Sequence, residues 1–252
     1  MFDNYFEIFL ADTQEGREIH YNIRYQVYCE ELGYEDSKKF PDQQEFDQWD
    51  PKDDQDQQSI LFLVRLKHTK QWIGAMRLVH YNDHKLPLEE NTSLNHAINS
   101  PAIEISRLCI VKDIRKPYLK NAYGIDENNT DENSPNTAEK EGDSIKLFYS
   151  NPKVKSTIIW GLFHASSQYS IANNIKKWYL LTNRALAMVI KRQGFRVEQV
   201  GASCEHRGQR APYCFDVDEI QSNPIWDNFN NNYQLYSSLQ QQEKTGNAVK
   251  YG

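Results

Sequence analysis

The chain is 252 residues long, enough to bury a sizeable core as one large domain or as one domain with an insertion. Its 39% hydrophobic and 12% aromatic content excludes a disordered chain and fits a soluble globular protein with polar loops. A formal charge of −6 excludes general nucleic-acid binding, which needs a broadly basic surface, and leaves local basic patches for acidic partners.

No apolar stretch approaches membrane-spanning length. Asp3, Asn4 and Glu7 fall where a signal peptide would carry its basic start and apolar run, so a cytoplasmic protein without an integral membrane segment is expected. Cys29, Cys109, Cys204 and Cys214 are widely spaced and form no CxxC pair. They read as free buried thiols, with no metal site.

In chain order, Ile19, Ile23, Val27, Tyr28 and Leu32 predict a helix over Glu18 to Leu32 that includes Arg24 and stops at Gly33. Tyr34 to Gln58 is acidic, amide-rich and aromatic, and is broken at Phe40-Pro41 and Trp49-Asp50-Pro51. Ile60 to Leu66 and Trp72 to Val79 read as a hairpin, and Ile103 to Val111 as a following strand. Lys120 to Asp143 has the composition of an acidic insertion.

Ile158, Leu162, Ala165, Tyr169 and Ala172 mark one helix face, and Trp178 to Leu181 a short strand. A helix over Asn183 to Gln193 is expected to have Thr182 as its N-cap and Gly194 as its stop. Phe195 to Val200 and Pro212 to Val217 read as strands. In the Asn- and Gln-rich tail from Gln221, the residues Ile225, Trp226, Tyr233, Leu235, Tyr236 and Leu239 predict a C-terminal helix. This order describes an α/β (α+β) mixed sheet flanked by helices, with one domain over 1–220 and a helical extension over 221–252.

The segment Ala-Ile-Glu-Ile-Ser-Arg-Leu-Cys-Ile-Val from Ala102 places Glu104 and Arg107 inside an apolar, β-branched strand. Buried charge is costly unless paired, so the two residues read as a structural ion pair or as a reaction centre. A spacing of three puts them on opposite faces of a regular strand. They share a site only if a bulge intervenes.

Four fragments occur in series: Arg24 with Tyr28, Glu45-x-Asp47-x-x-Asp50, Gly74-x-x-Arg77-Leu78, and Glu104-x-Ser106-Arg107. Together they resemble the acyl-homoserine lactone (autoinducer) synthases and the N-acyl amino acid synthases of the GNAT superfamily. The Ile23 to Glu35 run and the His206-Arg207-Gly208-Gln209-Arg210-Ala211-Pro212-Tyr213 run look closer still to acyltransferases associated with PEP-CTERM/exosortase systems. The resemblance implies the GNAT-like acyl-CoA N-acyltransferase fold, a central mixed twisted sheet flanked by helices.

By the same resemblance Glu104 or Glu45 is the candidate base, with Arg107 beside it, and the acceptor region is lined by Arg24, Tyr28, Tyr34, Asp47, Asp50 and Arg77. Backbone groups of Leu108, Cys109, Ile110 and Val111 would meet the acyl carbonyl, and Cys109 itself reads as a packed thiol. His206, Arg207 and Arg210 are candidates for the acceptor's acidic group. The lactone synthases carry Phe and Trp at the positions of Tyr28 and Tyr34, which weakens the lactone reading. CoA-using relatives have a glycine-rich pyrophosphate loop where this chain has Lys112-Asp113-Ile114-Arg115-Lys116-Pro117, without a glycine. Lys112, Arg115 and Lys116, with Lys120 and Lys146, offer instead a basic rim for acidic acyl carrier protein.

The expected activity is transfer of a fatty acyl group from acyl carrier protein, or less readily from acyl-CoA, to a small amine, an amino acid, with no tightly bound cofactor. The alternatives are a lactone synthase using S-adenosylmethionine and a non-catalytic binding protein on the same scaffold.

Overall fold

Alternating and continuous runs of branched and aromatic residues build a nine-stranded sheet around which the helices pack. The structure is a computed structural model that describes residues 2–49, 59–81, 85–115 and 152–248. Asp50, Lys116, Lys120, Lys146 and the acidic insertion lie outside the described residues.

The first strand, β1 (Phe6–Leu10), is missing from the sequence-based expectation. It is a short run of four apolar residues around Glu7, without the bounding turn signals that mark the later strands. β2 (Ser59–Leu66) and β3 (Trp72–His80) form the expected hairpin, and β4 (Ala102–Ile110) pairs antiparallel with β3. β5 (Lys177–Thr182) runs parallel to β4 and antiparallel to β8 (Gln209–Asp216). Two-residue strands complete the sheet: β6 (Glu198–Gln199) and β7 (Cys204–Glu205) on β8, and β9 (Gln234–Leu235) parallel to β1.

Helix α1 (Gln14–Tyr25) is capped by the Thr13 hydroxyl, which accepts from the Gly16 N–H, and continues as a π-helical turn over Gln26–Glu31. Gly33, at φ +62°, ends it as expected, because the left-handed region is open to glycine. Helix α2 (Pro152–Ala172) packs on β1 to β3, and α1 packs across β2 to β4. The two helices cover opposite faces. Phe62 and Met76 are register partners on one face, where Phe62 meets the Tyr169 ring, and Leu61 and Arg77 point to the other.

Helix α3 (Arg184–Arg192) is capped by Asn183 and not by Thr182, which is the last residue of β5. An Asn side chain reaches the Leu186 N–H from that place, and Gly194 at φ +88° is the stop. The strand expected over Phe195 to Val200 shortens to Glu198–Gln199, because Phe195 turns into the core and stacks on Trp160 at 5.5 Å. The next strand starts three residues earlier than expected, at Gln209 instead of Pro212, drawn out by its hairpin with β7. In the tail, Ile225 and Trp226 belong to a 3-10 turn, Leu235 to β9, and the helix itself is α4 (Tyr236–Ala248). Among the described residues no helix is long and apolar enough to cross a membrane.

Candidate active site

Two irregularities in neighbouring elements make the site. Between Arg77↔Ser106 and Ala75↔Cys109 the β3–β4 register slips by one, so Arg107 and Leu108 together oppose Met76. This is the bulge that the Glu104–Arg107 spacing required, and Arg107 sits in it at φ +50°. Facing it, the π-helical turn after α1 carries Tyr28, whose hydroxyl donates to the Leu108 carbonyl at 3.1 Å. Burial raises the Tyr28 pKa, so the phenol remains a donor.

Strand residues of one parity, Glu104 and Ser106, and bulged Arg107 then share the face that looks at α1 and the acidic loop. Arg77 Nε donates to Ser106 Oγ at 3.0 Å, and its Nη1 lies 2.7 and 2.8 Å from the two oxygens of Asp47. Asp47 also accepts from Arg24 Nη2 at 3.2 Å and from Arg107 Nη2 at 2.9 Å. Glu45, 1% exposed, accepts from Arg24 Nε at 2.9 Å, and its other oxygen lies 3.3 Å from Arg107 Nε. Three arginines from a helix, a strand and a bulge thus meet two carboxylates of the loop, and the ionic contacts fix the loop over the sheet.

Glu104 stands outside this network. It is 3% exposed, and one carboxylate oxygen accepts from the Leu88 N–H at 2.7 Å. Burial pushes its pKa up to about 7, against the opposing pull of Arg77, the Leu88 N–H and Arg107. Leu88 itself is held by a small apolar cluster with Leu86, Ile98, Ala102 and Tyr179.

Beside Glu104 the sheet opens. β4 pairs with β5 only from Ala102↔Lys177 to Glu104↔Tyr179, and from Ile105 onward the described residues place no strand on that edge of β4. The Val111 N–H, one of the expected carbonyl contacts, donates to Ile73 C=O at 2.9 Å and faces β3. By strand alternation the Ile110 N–H points the other way, to the open edge. The Leu108 carbonyl is taken by Tyr28, and Cys109, 4% exposed with its thiol pushed up to about 12 by burial, is a packing residue.

The expected residues of the late hairpin separate. Arg207 stands over the Tyr28 ring at 5.5 Å and the Tyr34 ring at 5.9 Å and pairs with Glu35. His206 lies close enough for Arg210 and Arg107 to add to the burial that lowers its pKa. Arg210 instead lines a cavity of about 480 Å³ between α3 and β8, with Arg184 and Met188. Lys112 is exposed at the end of β4, its N–H bonded to Glu31 at 3.0 Å, and the Arg115 side chain lies outside the described residues.

The sequence alone assigns no site role to His20, Glu35 or Ser106. His20, fully buried, donates from Nε2 to the Met76 carbonyl opposite the bulge at 3.2 Å. Its signal was present: Arg17, His20 and Arg24 recur at helical spacing, and all three are buried.

Residues 23–122 match the family model of the acetyltransferase (GNAT) domain. No curated protein matches the chain. Among solved structures, the fold is similar to that of BjaI, a CoA-dependent acyl-homoserine lactone synthase with S-adenosylmethionine and isopentyl-CoA, at 14% identity and TM-score 0.57, over 92% of each chain. It is similar to MesI, a CoA-dependent acyl-homoserine lactone synthase, at 15% identity and TM-score 0.53, over 91% of this chain and 98% of that one. It is similar also to FeeM, an N-acyl amino acid synthase from uncultured soil microbes, at 13% identity and TM-score 0.51, over 89% of this chain and 97% of that one. With its mixed sheet and its bulged fourth strand, the chain has the GNAT-like fold of these structures, and the family match covers residues 23–122 of it.

Proposed function

We propose that the protein is an N-acyltransferase that moves a fatty acyl group from acyl carrier protein to the amine of a small acceptor, an amino acid, with Glu104 as the base. The observation that carries this reading is the pairing of a buried carboxyl at about 7 with the open edge of β4 beside it. A carboxylate so tuned takes a proton from an ammonium group near neutral pH, directly or through water. The freed amine attacks the thioester carbonyl, the C–N bond forms and the C–S bond breaks. The second nitrogen proton goes to the departing thiolate as the tetrahedral adduct collapses. The Ile110 N–H is the backbone donor aimed at the developing oxyanion.

Glu45 has both oxygens turned to guanidinium groups, which suits it to bracing the loop, and Arg24, Arg77 and Asp47 share that role. The glycine-free segment after β4 and exposed Lys112 support a carrier-protein donor over CoA. The resemblance of the Ile23 to Glu35 and His206 to Tyr213 runs supports a place in the PEP-CTERM/exosortase-associated branch.

The test is thiol release from carrier proteins and CoA loaded with medium and long chains, given pooled amino acids or S-adenosylmethionine, with mass spectrometry of products. An N-acyl amino acid supports the reading. A second reading, the lactone synthase, draws on the higher TM-scores of BjaI and MesI relative to FeeM, and release of methylthioadenosine would establish it. Absence of acceptor-dependent thiol release, with Glu104→Gln indistinguishable from the parent, would leave a binding protein.

A further inference from the structure

Glu35 lies just past the Gly33 turn, its N–H donating to the Tyr28 carbonyl at 3.2 Å. Its carboxylate pairs with Arg207 of the β7–β8 hairpin and stands 4.0 Å from Arg107 Nη1 of the bulge. The rings of Tyr28 and Tyr34 lie beneath the Arg207 guanidinium, and their centroids are 6.3 Å apart. Arg207 is in the left-handed region at φ +54°, followed by Gly208 at φ +96°. The hairpin tip is therefore shaped to turn this side chain in, at a backbone cost of about 1 kcal/mol for a non-glycine residue.

This carboxylate differs from Glu45 and Asp47. Those two are held by arginines from the helix and both strands. Glu35, with a side chain as exposed as that of Asp47 at 21%, has as its close partner Arg207 of the hairpin tip, and it touches Arg107 only at 4.0 Å; both guanidiniums are 16% exposed. A pair of part-buried arginines over aromatic walls, reachable from solvent and adjoining the catalytic strand, is a site for the carboxylate of a small molecule. Burial lowers the Arg207 pKa, so the guanidinium gains by having an anion beside it.

Resting on the acyltransferase reading, we propose that Glu35 is an internal stand-in for the acceptor's carboxylate. An amino acid acceptor displaces Glu35 from Arg207 and Arg107. The pocket therefore selects amines that carry a carboxylate over neutral amines, and Glu35 sets the acceptor affinity by competing for the same two arginines. A tethered competitor acts at a high effective concentration, so its removal strengthens acceptor binding.

The experiment compares the parent with Glu35→Gln, Arg207→Gln and Arg207→Lys, using the twenty amino acids and their carboxamides as probes. Thermal shift reads binding, and thiol release from acyl carrier protein reads turnover. Glu35→Gln should lower KM for the acid about tenfold and leave the carboxamide unchanged, as loss of one charge-assisted competitor requires. Arg207→Gln should raise KM for the acid at least tenfold and abolish the preference for acid over amide, and Arg207→Lys should restore part of it. Equal shifts and equal KM for acids and amides, or no shift with any probe, overturn the proposal. Thiol release without acid selectivity removes the subsite and keeps the acyltransferase. Acid-selective binding without thiol release from any donor keeps the subsite and removes the acyltransferase.

Discussion

The Asp47 carboxylate lies within 2.8 Å of Arg77 Nη1 through both oxygens, across from the residue that pairs with Arg77 in the sheet, Ser106. The acidic loop is thereby tied to the strand that neighbours the bulge. Removing Asp47 leaves Arg24 and Arg107 with Glu45 and takes from Arg77 the carboxylate that holds its Nη1. Asp47→Ala should cost about 3 kcal/mol, the lower end for breaking a buried pair because Asp47 is part-exposed. Urea unfolding at an unchanged m-value measures it, and a loss under about 1 kcal/mol would mean that water replaces the carboxylate.

For turnover, only deprotonated Glu104 accepts the ammonium proton. With its pKa pushed up to about 7, log kcat/KM for the acceptor should rise by about one per pH unit below that value and flatten above it. Stopped-flow thiol detection across pH 5 to 9, an interval of about two units on either side, reads the profile. Glu104→Gln should lose the limb along with the activity, and a limb that survives in this variant belongs to another group.

The same carboxyl has an opposite effect on folding. Between the ordinary 4.5 and about 7, the unfolded chain has released the Glu104 proton while the folded chain retains it. Stability therefore falls as pH rises through this window, by about 1.4 kcal/mol per unit and about 3 kcal/mol in all, and the loss stays constant above it. Glu104→Gln keeps an acceptor for the Leu88 N–H and removes the buried charge. It should be more stable than the parent by about 1–3 kcal/mol at pH 8 and level with it near pH 4, measured by denaturant melts. An inactive variant that is also less stable at pH 8 would show that the carboxylate is structural.

Cys109 lies in the strand segment expected to meet the acyl carbonyl, yet it should be silent. Buried, with a thiol at about 12, it should resist iodoacetamide in the native protein while half-buried Cys204 reacts. Cys109→Ala should keep turnover within about threefold and lose about 1 kcal/mol to the cavity. Loss of turnover with a trapped acyl-cysteine would replace direct attack with a covalent route.

Helix and strand periodicity made most of the fold legible: the hairpin, the central strand, the long helix and the two glycine stops each stand where branched residues and φ-permissive glycines require. Strand β1 escaped because its run is short and lacks turn punctuation, and β9 because two residues carry no period. At the site, Glu104 and Arg107 were visible as charges in an apolar strand. Their common face was not, because a bulge is a property of the pairing between strands, and Arg107 carries no glycine to announce its left-handed backbone. Glu35 was invisible for another reason: it meets Arg207 only when a hairpin far along the chain folds back across the helix end.

The parallel pairing of β9 with β1 joins the first strand of the sheet to nearly the last described element. During synthesis the outer rim of β1 must wait, with its amides unfilled, until Gln234 and Leu235 emerge. Until then the growing polypeptide exposes an adhesive border that another nascent copy could zip onto. A border paired from so far downstream is expected to be among the last parts of the sheet to close, since contacts distant in sequence form slowly.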